Sequence, residues 1–370
     1  MVSIVALFLA FLPIAQGTSG GPTAPGGASV KELVSVQRRV TVKTLVGQPG
    51  WPGAVNGPTS SALLFEPHGV AVGNDGTVYI SEAGNHALRQ FTPDGILRPL
   101  AGSLGREGGQ DGSGGEARFY LPNSLSIDHK GNLFVADLAN HAVRKITPKG
   151  VVTTFAGKLR ALGDADGPAS VARFNRPHGI AVGDDGTVYV TDAVNHTIRK
   201  ITPDGRVVTV AGKALHPGSM DGVGTEARFL MPFAIAVDRN GTMFVADRGN
   251  DAIRKITPDG VVTTLAGKLG VPGTKDGLRG EARFSSPRGI DIDQNGNLYV
   301  ADYDSCLIRM VSPEGLVTTL AGKGYEAGSA DGSGLEARFK GPHGITVDTK
   351  GRVFVADSDN HLIRMLILND

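Results

Sequence analysis

Six residues spaced 55 apart are the leading candidates for chemistry in this sequence. Each one directly follows a proline of an internal repeat, and they are His68, Asn123, His178, Phe233, Arg288 and His343. Imidazole nitrogens are common zinc ligands, so three histidines could hold zinc if the fold brings them together. The competing interpretation is polar packing, or contact with a ligand that contains no metal.

A second variable position lies directly after an acidic residue that recurs at the same interval. Its occupants are Ala83, Leu138, Ala193, Arg248, Tyr303 and Ser358. The fourth and fifth copies thus combine arginine with aromatic side chains, the types that dominate binding hot spots. We therefore predict that Arg248 and Tyr303 bind a ligand together with the six residues that follow the prolines.

Positions that keep one residue type in nearly every copy are better explained by structure than by catalysis. The acids are Glu82, Asp137, Asp192, Asp247, Asp302 and Asp357, and the loop arginines are Arg118, Arg173, Arg228, Arg283 and Arg338. We expect them to form ion pairs or to cap turns between neighbouring units.

Asp-Gly loops contain Asp111, Asp166, Asp221, Asp276 and Asp331. Calcium takes about six to eight oxygens and most copies offer one carboxylate, so an Asx-type turn is favoured.

Other kinds of site find no support. The sequence lacks G-x-S-x-G, H-E-x-x-H and phosphate-loop motifs, and none of its glycine-rich runs opens a βα unit. A formal net charge of +1 shows no basic footprint for nucleic acid. We expect no catalytic residue, no bound cofactor and no nucleic-acid partner.

The elements that must position the candidate residues belong to a repeat of 55 residues. Its prolines are Pro67, Pro122, Pro177, Pro232, Pro287 and Pro342. The copy from Phe174 to Gly212 alternates four short apolar runs with the turns GDDGT, AVNH and PDG, which is typical of antiparallel strands. Six such copies predict an all-β, six-bladed propeller of four-stranded antiparallel blades. The last copy lacks a fourth strand, so Val40–Gly47 is predicted to close blade 6 in a 3+1 arrangement.

The amino end has the pattern of a targeting segment. Residues Ile4–Ala15 form an apolar run that is too short to span a bilayer, and small residues follow it. We predict a signal peptide at 1–17, a flexible linker at 18–39 and the propeller at 40–370, with a secreted protein and no membrane span. Asn240 and Asn195 each begin an acceptor pattern for glycosylation, and Asn240 lies in the more exposed turn.

The repeat resembles the NHL-repeat family. The three residues of the family name stand at Asn360-His361-Leu362, with variants that begin at Asn85, Asn140 and Asn195. Copies four and five depart, since Asp251 and Cys306 occupy the histidine position. The resemblance implies the propeller fold, whereas its members include ubiquitin ligases, receptors and enzymes.

One branch of that family implies an enzyme. NHL-like peptidyl-α-hydroxyglycine amidating lyases hold zinc with histidines at the position after the proline, and Asp247-Arg248 resembles a substrate-binding pair of theirs. Here Phe233 replaces one histidine, and the three histidines lie in copies 1, 3 and 6 rather than in alternate copies.

The expected function is that of a secreted, non-catalytic module that binds a protein, peptide or glycan through the loop-rich face of the propeller. The alternative is a metal-dependent lyase or hydrolase with its site at the channel mouth. Stoichiometric metal in the purified protein would distinguish the second class from the first.

Overall fold

The computed structural model describes residues 39–369, and the account below concerns that segment. The predicted signal peptide and the predicted linker up to residue 38 lie outside it and stay predictions. Within the described segment there is no α-helix, and no helix is long and apolar enough to cross a membrane.

Six antiparallel sheets form the propeller, which confirms the predicted all-β, six-bladed fold. Each sheet has an inner, a second, a third and a fourth strand, followed by a short fifth strand of two residues. In that order, blade 1 contains Pro67–Val72, Val78–Glu82, Ala87–Thr92, Ile96–Ala101 and Gly57–Pro58. Blade 2 contains Pro122–Ile127, Leu133–Asp137, Ala142–Ile146, Val151–Gly157 and Gly112–Ser113. Blade 3 contains Pro177–Val182, Val188–Asp192, Thr197–Ile201, Arg206–Gly212 and Gly167–Pro168.

The remaining blades repeat the arrangement. Blade 4 contains Pro232–Val237, Met243–Asp247, Ala252–Ile256, Val261–Ala266 and Gly222–Val223. Blade 5 contains Pro287–Ile292, Leu298–Asp302, Leu307–Val311, Leu316–Ala321 and Gly277–Leu278. Blade 6 contains Pro342–Val347, Val353–Asp357, Leu362–Asn369, Arg39–Val46 and Gly332–Ser333. Short 3-10 turns occur at Gly114–Glu116, Leu138–Asn140, Ala193–Asn195, Gly224–Glu226, Arg248–Asn250, Arg279–Glu281 and Ser358–Asn360.

The two ends of the described segment meet in blade 6. Strand Arg39–Val46 pairs antiparallel with Leu362–Asn369, with Val42 opposite Leu366. Val40, Val42 and Val46 are buried. The first strand therefore both covers an edge of the last blade and contributes apolar surface to its core.

The fifth strand comes from the Asp-Gly loops and was not expected from the sequence. In blade 2, the Asp111 carboxylate accepts hydrogen bonds from the backbone nitrogen and the hydroxyl of Thr154 at 3.0 and 3.1 Å. Asp111 also accepts from Arg144 at 2.7 Å. The loop aspartate therefore attaches its loop to the fourth strand of the blade instead of forming an Asx-type turn, because its partners are distant in sequence.

A buried ion pair lies inside every blade. In blade 2, Arg144 pairs with the strand-end acid Asp137 at 2.7 Å and lies 5.1 Å from the Phe119 ring centroid. Burial raises the pKa of Asp137 to about 6, although the arginine opposes the rise. The expected ion pairs thus exist, but with the third-strand arginine. Loop arginines such as Arg118 donate to backbone carbonyls of their own loop.

The hydrophobic core consists of layers between neighbouring blades. One layer joins Ala236 and Phe244 of blade 4 to Ile290 and Val300 of blade 5. Each blade covers the apolar face of the next, so closing the ring removes that surface from water.

Candidate functional site

The NHL turns hold the start of each neighbouring inner strand. His141 Nδ1 accepts the backbone N–H of Arg176 at 3.1 Å, and Arg176 has a positive φ of 54° just before Pro177 and His178. The Nδ1 atoms of His86, His196 and His361 accept equivalent hydrogen bonds from backbone N–H groups of the next blade. In copy four, Asp251 Oδ1 performs the same role for Ser286 at 2.9 Å. The family motif is therefore a link between blades that positions the residue after each proline.

Two faces of the ring differ in content. The long loops are the Asp-Gly loops that join each fourth strand to the next inner strand. They contact the NHL turns, as in the bonds from Arg160 N to Asn140 O and from Leu215 N to Asn195 O, both within 3.2 Å. We call this side the loop face. The turns between the inner and second strands (GDDGT in copy three) and the turns after the third strands (PDG in copy three) lie together on the opposite side. In blade 2, for example, Gly131 lies beside Pro148. We call this side the turn face.

The six residues that follow the prolines meet at the loop-face end of the axis. Beneath them lies a cavity of about 240 Å³ lined by all six inner strands, with His68, Arg288 and His343 among its lining residues. With Arg248 and Tyr303, these six form what we call the mouth cluster. The structure therefore brings together all eight predicted ligand-binding residues, whose role in binding stays a prediction.

One side of the mouth cluster consists of stacked rings. His68 and His343 are parallel, with centroids 4.2 Å apart and an interplanar angle of 6°. His178 stacks on Phe233 at 3.7 Å, and its Nδ1 lies 3.1 Å from the Phe233 carbonyl oxygen. Asn123 Nδ2 lies 3.1 Å from His68 Nδ1. These contacts join neighbouring blades around the axis.

These imidazoles are neutral at physiological pH. Burial, with a smaller contribution from the Arg288 charge, lowers the pKa of His68 to about 3. Burial also places the pKa values of His178 and His343 well below the ordinary value. The three rings therefore supply hydrogen-bonding atoms without adding positive charge.

The other side of the mouth cluster contains two arginines and two aromatic rings. Arg288 Cζ lies 3.4 Å from the Tyr303 ring centroid, and Arg248 Cζ lies 4.7 Å from the Phe233 centroid. Arg248 Nε donates to Ser286 Oγ at 3.0 Å. Tyr303 donates its hydroxyl proton to Asp359 at 3.1 Å. Pairing of Pro287 with Asp302 brings Arg288 and Tyr303 to the same end of blade 5.

The mouth cluster does not fit the zinc site of the lyase-like alternative. Zinc ligands direct their lone pairs at one point in a tetrahedral arrangement. Here the rings of His68 and His343 stack face to face, and the Nδ1 atoms of His68 and His178 are bonded to neighbouring blades. Among residues 39–369, no group of three His, Cys, Asp or Glu is arranged to hold a metal ion.

Two residues near the mouth were missed from the sequence. Asp359 and Ser286 orient Tyr303 and Arg248 respectively. Asp359 follows directly on the variable position after the strand-end acid, so extending that position by one residue would have found it. Ser286 precedes the repeat proline, and only the contact across blades reveals its role.

The two predicted glycosylation sites differ in exposure. Asn240 is exposed in the hairpin turn of blade 4. Asn195 is only 1% exposed, and its Nδ2 donates to Gly163 O and to Asp192 Oδ2, both at 2.7 Å. Glycosylation at both positions stays a prediction, and the folded structure favours Asn240 because the acceptor nitrogen of Asn195 is buried and hydrogen-bonded.

Fold and site together define a six-bladed propeller whose variable side chains gather at one end of the axis. The NHL repeat model matches residues 66–91, 174–201, 284–309 and 339–365. The chain therefore contains NHL repeats, as its motifs suggested.

Several curated proteins share the repeat region. The chain is 29% identical over 280 residues to NHL repeat-containing protein 2 of Bos taurus, covering 66% of this chain and 38% of that protein. It is 31% identical over 284 residues to Protein SUPPRESSOR OF QUENCHING 1, chloroplastic, of Arabidopsis thaliana, covering 72% and 27%. The match thus spans less than two fifths of either relative.

Solved structures share the fold at lower identity. An auxiliary nutrient binding protein from Bacteroides thetaiotaomicron is 16% identical with a TM-score of 0.69, covering 90% of this chain and 78% of that one. A streptogramin B lyase is 15% identical with a TM-score of 0.55, covering 90% and 98%. At such identities the likeness shows the fold alone.

Proposed function

We propose that this protein is a secreted, non-catalytic binding module that recognises an extracellular protein, peptide or glycan through its loop face. The observation that carries the proposal is the mouth cluster, where Arg248, Phe233, Arg288 and Tyr303 lie together at the end of the axis. Arginine and aromatic side chains held by neighbours are typical of binding hot spots. The apolar run at Ile4–Ala15 supports secretion.

Further support comes from the loop face around the mouth. Large apolar side chains are exposed on the long loops, including Trp51, Leu215 and Tyr325. Aromatic side chains such as Trp51 and Tyr325 are of types that are enriched in protein interfaces. A structural neighbour that is described as an auxiliary nutrient binding protein shows that this fold is used for binding elsewhere.

The experiment is capture of partners from the extracellular fraction by immobilised propeller. The test variant combines Arg248→Ala, Arg288→Ala and Tyr303→Ala, and the control combines Asp204→Ala and Asp259→Ala in exposed turns of the turn face. We expect the test variant to lose the captured partner and the control to retain it. Loss in the control with retention in the test variant would overturn the assignment of the loop face.

Metal content separates this function from the lyase or hydrolase alternative. Elemental analysis of the purified protein is expected to show no stoichiometric transition metal. A metal bound at one ion per chain and lost in His68→Ala or His343→Ala would favour the enzyme alternative instead.

A further inference from the structure

The two arginines of the mouth cluster lack an anionic partner. Within residues 39–369, neither Arg248 nor Arg288 forms an ion pair with a carboxylate, and Arg288 donates no hydrogen bond. By contrast, the buried arginine of every blade is paired with a strand-end acid, as Arg254 is with Asp247 at 2.7 Å. The same chain therefore pairs its structural arginines and leaves those of the mouth unpaired.

An unpaired guanidinium in a largely buried place is unfavourable by itself. Burial lowers the pKa of Arg288, which records the loss of hydration around its charge. Contact with the Tyr303 ring offsets part of that loss through a cation–π interaction. A ligand anion would supply the negative charge that neither water nor the protein places beside this guanidinium. The free protein is therefore arranged to bind an anionic group.

Both guanidinium groups are held before any ligand arrives. Arg288 Cζ lies over the Tyr303 ring at 3.4 Å from its centroid, and Tyr303 is itself held by its hydrogen bond to Asp359. Arg248 is fixed through its Nε bond to Ser286. A planar fork that is fixed in this way matches the two oxygens of a carboxylate and loses little side-chain freedom on binding.

Nearby charges favour a singly charged anion. Asp304 and Asp359 lie close enough to raise the pKa of Arg288 against the effect of burial. They reduce the positive potential of the mouth, and the neutral histidines add none. A carboxylate therefore suits the site better than a doubly charged phosphate.

The covered rings favour a peptide over a sugar. Glycan recognition commonly needs an open aromatic face, but His178 stacks on Phe233 at 3.7 Å and Arg248 lies over that ring at 4.7 Å. The Tyr303 ring has Arg288 over its face at 3.4 Å. The mouth offers guanidinium forks rather than stacking surfaces.

We propose that the mouth cluster binds a carboxylate group of a peptide ligand between Arg288 and Arg248. This inference rests on the proposed function and adds the chemical class of the recognised group. It assigns Arg288 as the principal anion contact and Tyr303 as a positioning residue.

The test is isothermal titration of the whole propeller with hexaglutamate, hexaglutamine, trigalacturonate and inorganic phosphate as separate probes. We expect hexaglutamate to bind more tightly than the other three. Arg288→Gln should weaken hexaglutamate binding by about tenfold or more, because hydrogen bonds to charged groups are among the stronger ones. Arg288→Lys should lose part of the affinity, since it keeps the charge without the planar fork.

Arg239→Gln is the matched control, because it removes one exposed arginine from the turn face. Equal hexaglutamate affinity in wild type, Arg239→Gln and Arg288→Gln would overturn the inference, as would tighter binding of hexaglutamine, trigalacturonate or phosphate. Arg248→Gln is a second variant of the mouth cluster. Thermal melting of each variant shows whether a loss of titration heat comes from lost binding or from unfolding.

The outcomes also separate this inference from the proposed function. Partner capture that depends on the mouth cluster, without any binding of hexaglutamate, would overturn the carboxylate inference and leave the binding module standing. Hexaglutamate binding that depends on Arg288, without any mouth-dependent partner, would support the anion site and count against the proposed module.

Discussion

Arg144 Nη1 donates to Asp137 Oδ2 at 2.7 Å, and both side chains are completely buried. The same guanidinium reaches Asp111 at 2.7 Å and backbone carbonyls of its loop, so one residue joins the second strand, the third strand and the loop of blade 2. Equivalent pairs recur in the other blades. The interaction explains why the acid and the arginine recur seven residues apart in every copy.

Removing the arginine of such a pair should be strongly destabilising. Arg144→Met leaves Asp137 buried without a counter-charge, and we expect the free energy of unfolding to fall by about 3–5 kcal/mol. Chemical denaturation would measure the change. The control is Arg98→Met, because Arg98 pairs with Asp94 at 2.9 Å on the exposed surface and should contribute little. Equal effects of the two substitutions would contradict the structural role of the buried pair.

Neutral histidines at the mouth should make stability depend on pH. The unfolded chain protonates His68 near its ordinary pKa of 6.5, whereas the folded chain resists protonation until about pH 3. The contribution of neutral His68 to the free energy of unfolding is therefore fully present above pH 6.5 and is lost as the pH falls. Between pH 6.5 and 5 the free energy of unfolding should fall by up to about 2 kcal/mol more in wild type than in His68→Asn.

The comparison uses denaturation of both proteins at several pH values, so that contributions of other titrating groups cancel. Asparagine is the natural occupant of this position in blade 2, as Asn123. His216→Asn is the matched control, since its ring is exposed on a long loop. Parallel pH profiles for wild type and His68→Asn would show that His68 is not held neutral by the fold.

Loss of the first strand should open the ring. Deleting Val40–Gly47 would uncover the edge of Leu362–Asn369 and expose apolar side chains of blade 6. We expect a lower melting temperature and light scattering that grows with protein concentration. A milder pair is Val42→Asp against Lys43→Asp, because Val42 is buried and Lys43 is exposed on the same strand. Unchanged melting of the truncated protein would argue against a role for this strand in closure.

Glycosylation should distinguish the two acceptor sequences. From a host that glycosylates secreted proteins, peptide mass mapping should find sugar on Asn240, which is exposed, and none on Asn195, which is buried. Asn240→Gln is the control that removes the mass shift. An unmodified Asn240 from such a host would count against secretion.

Much of this architecture follows from the sequence. The strict spacing of Pro67, Glu82 and Arg89 through six copies, with Asp-Gly turns between apolar runs, predicts six equivalent blades because turns and strand alternation are local properties. Equivalence in turn predicts that the residues after the prolines share one end of the axis. All eight mouth residues could therefore be chosen before the structure was known.

Other features exist only through contacts between distant segments. The sequence could not show that His68 stacks on His343 instead of sharing a metal, or that Asn195 is buried. It also could not show that Arg288 lies against Tyr303 without a carboxylate partner while Arg144 has two. How neighbouring blades pack around the axis decides which side chains pair and which are buried. A local sequence pattern does not encode the distances between side chains of different blades. The repeat determined where the site lies, and the closed ring decided its chemistry.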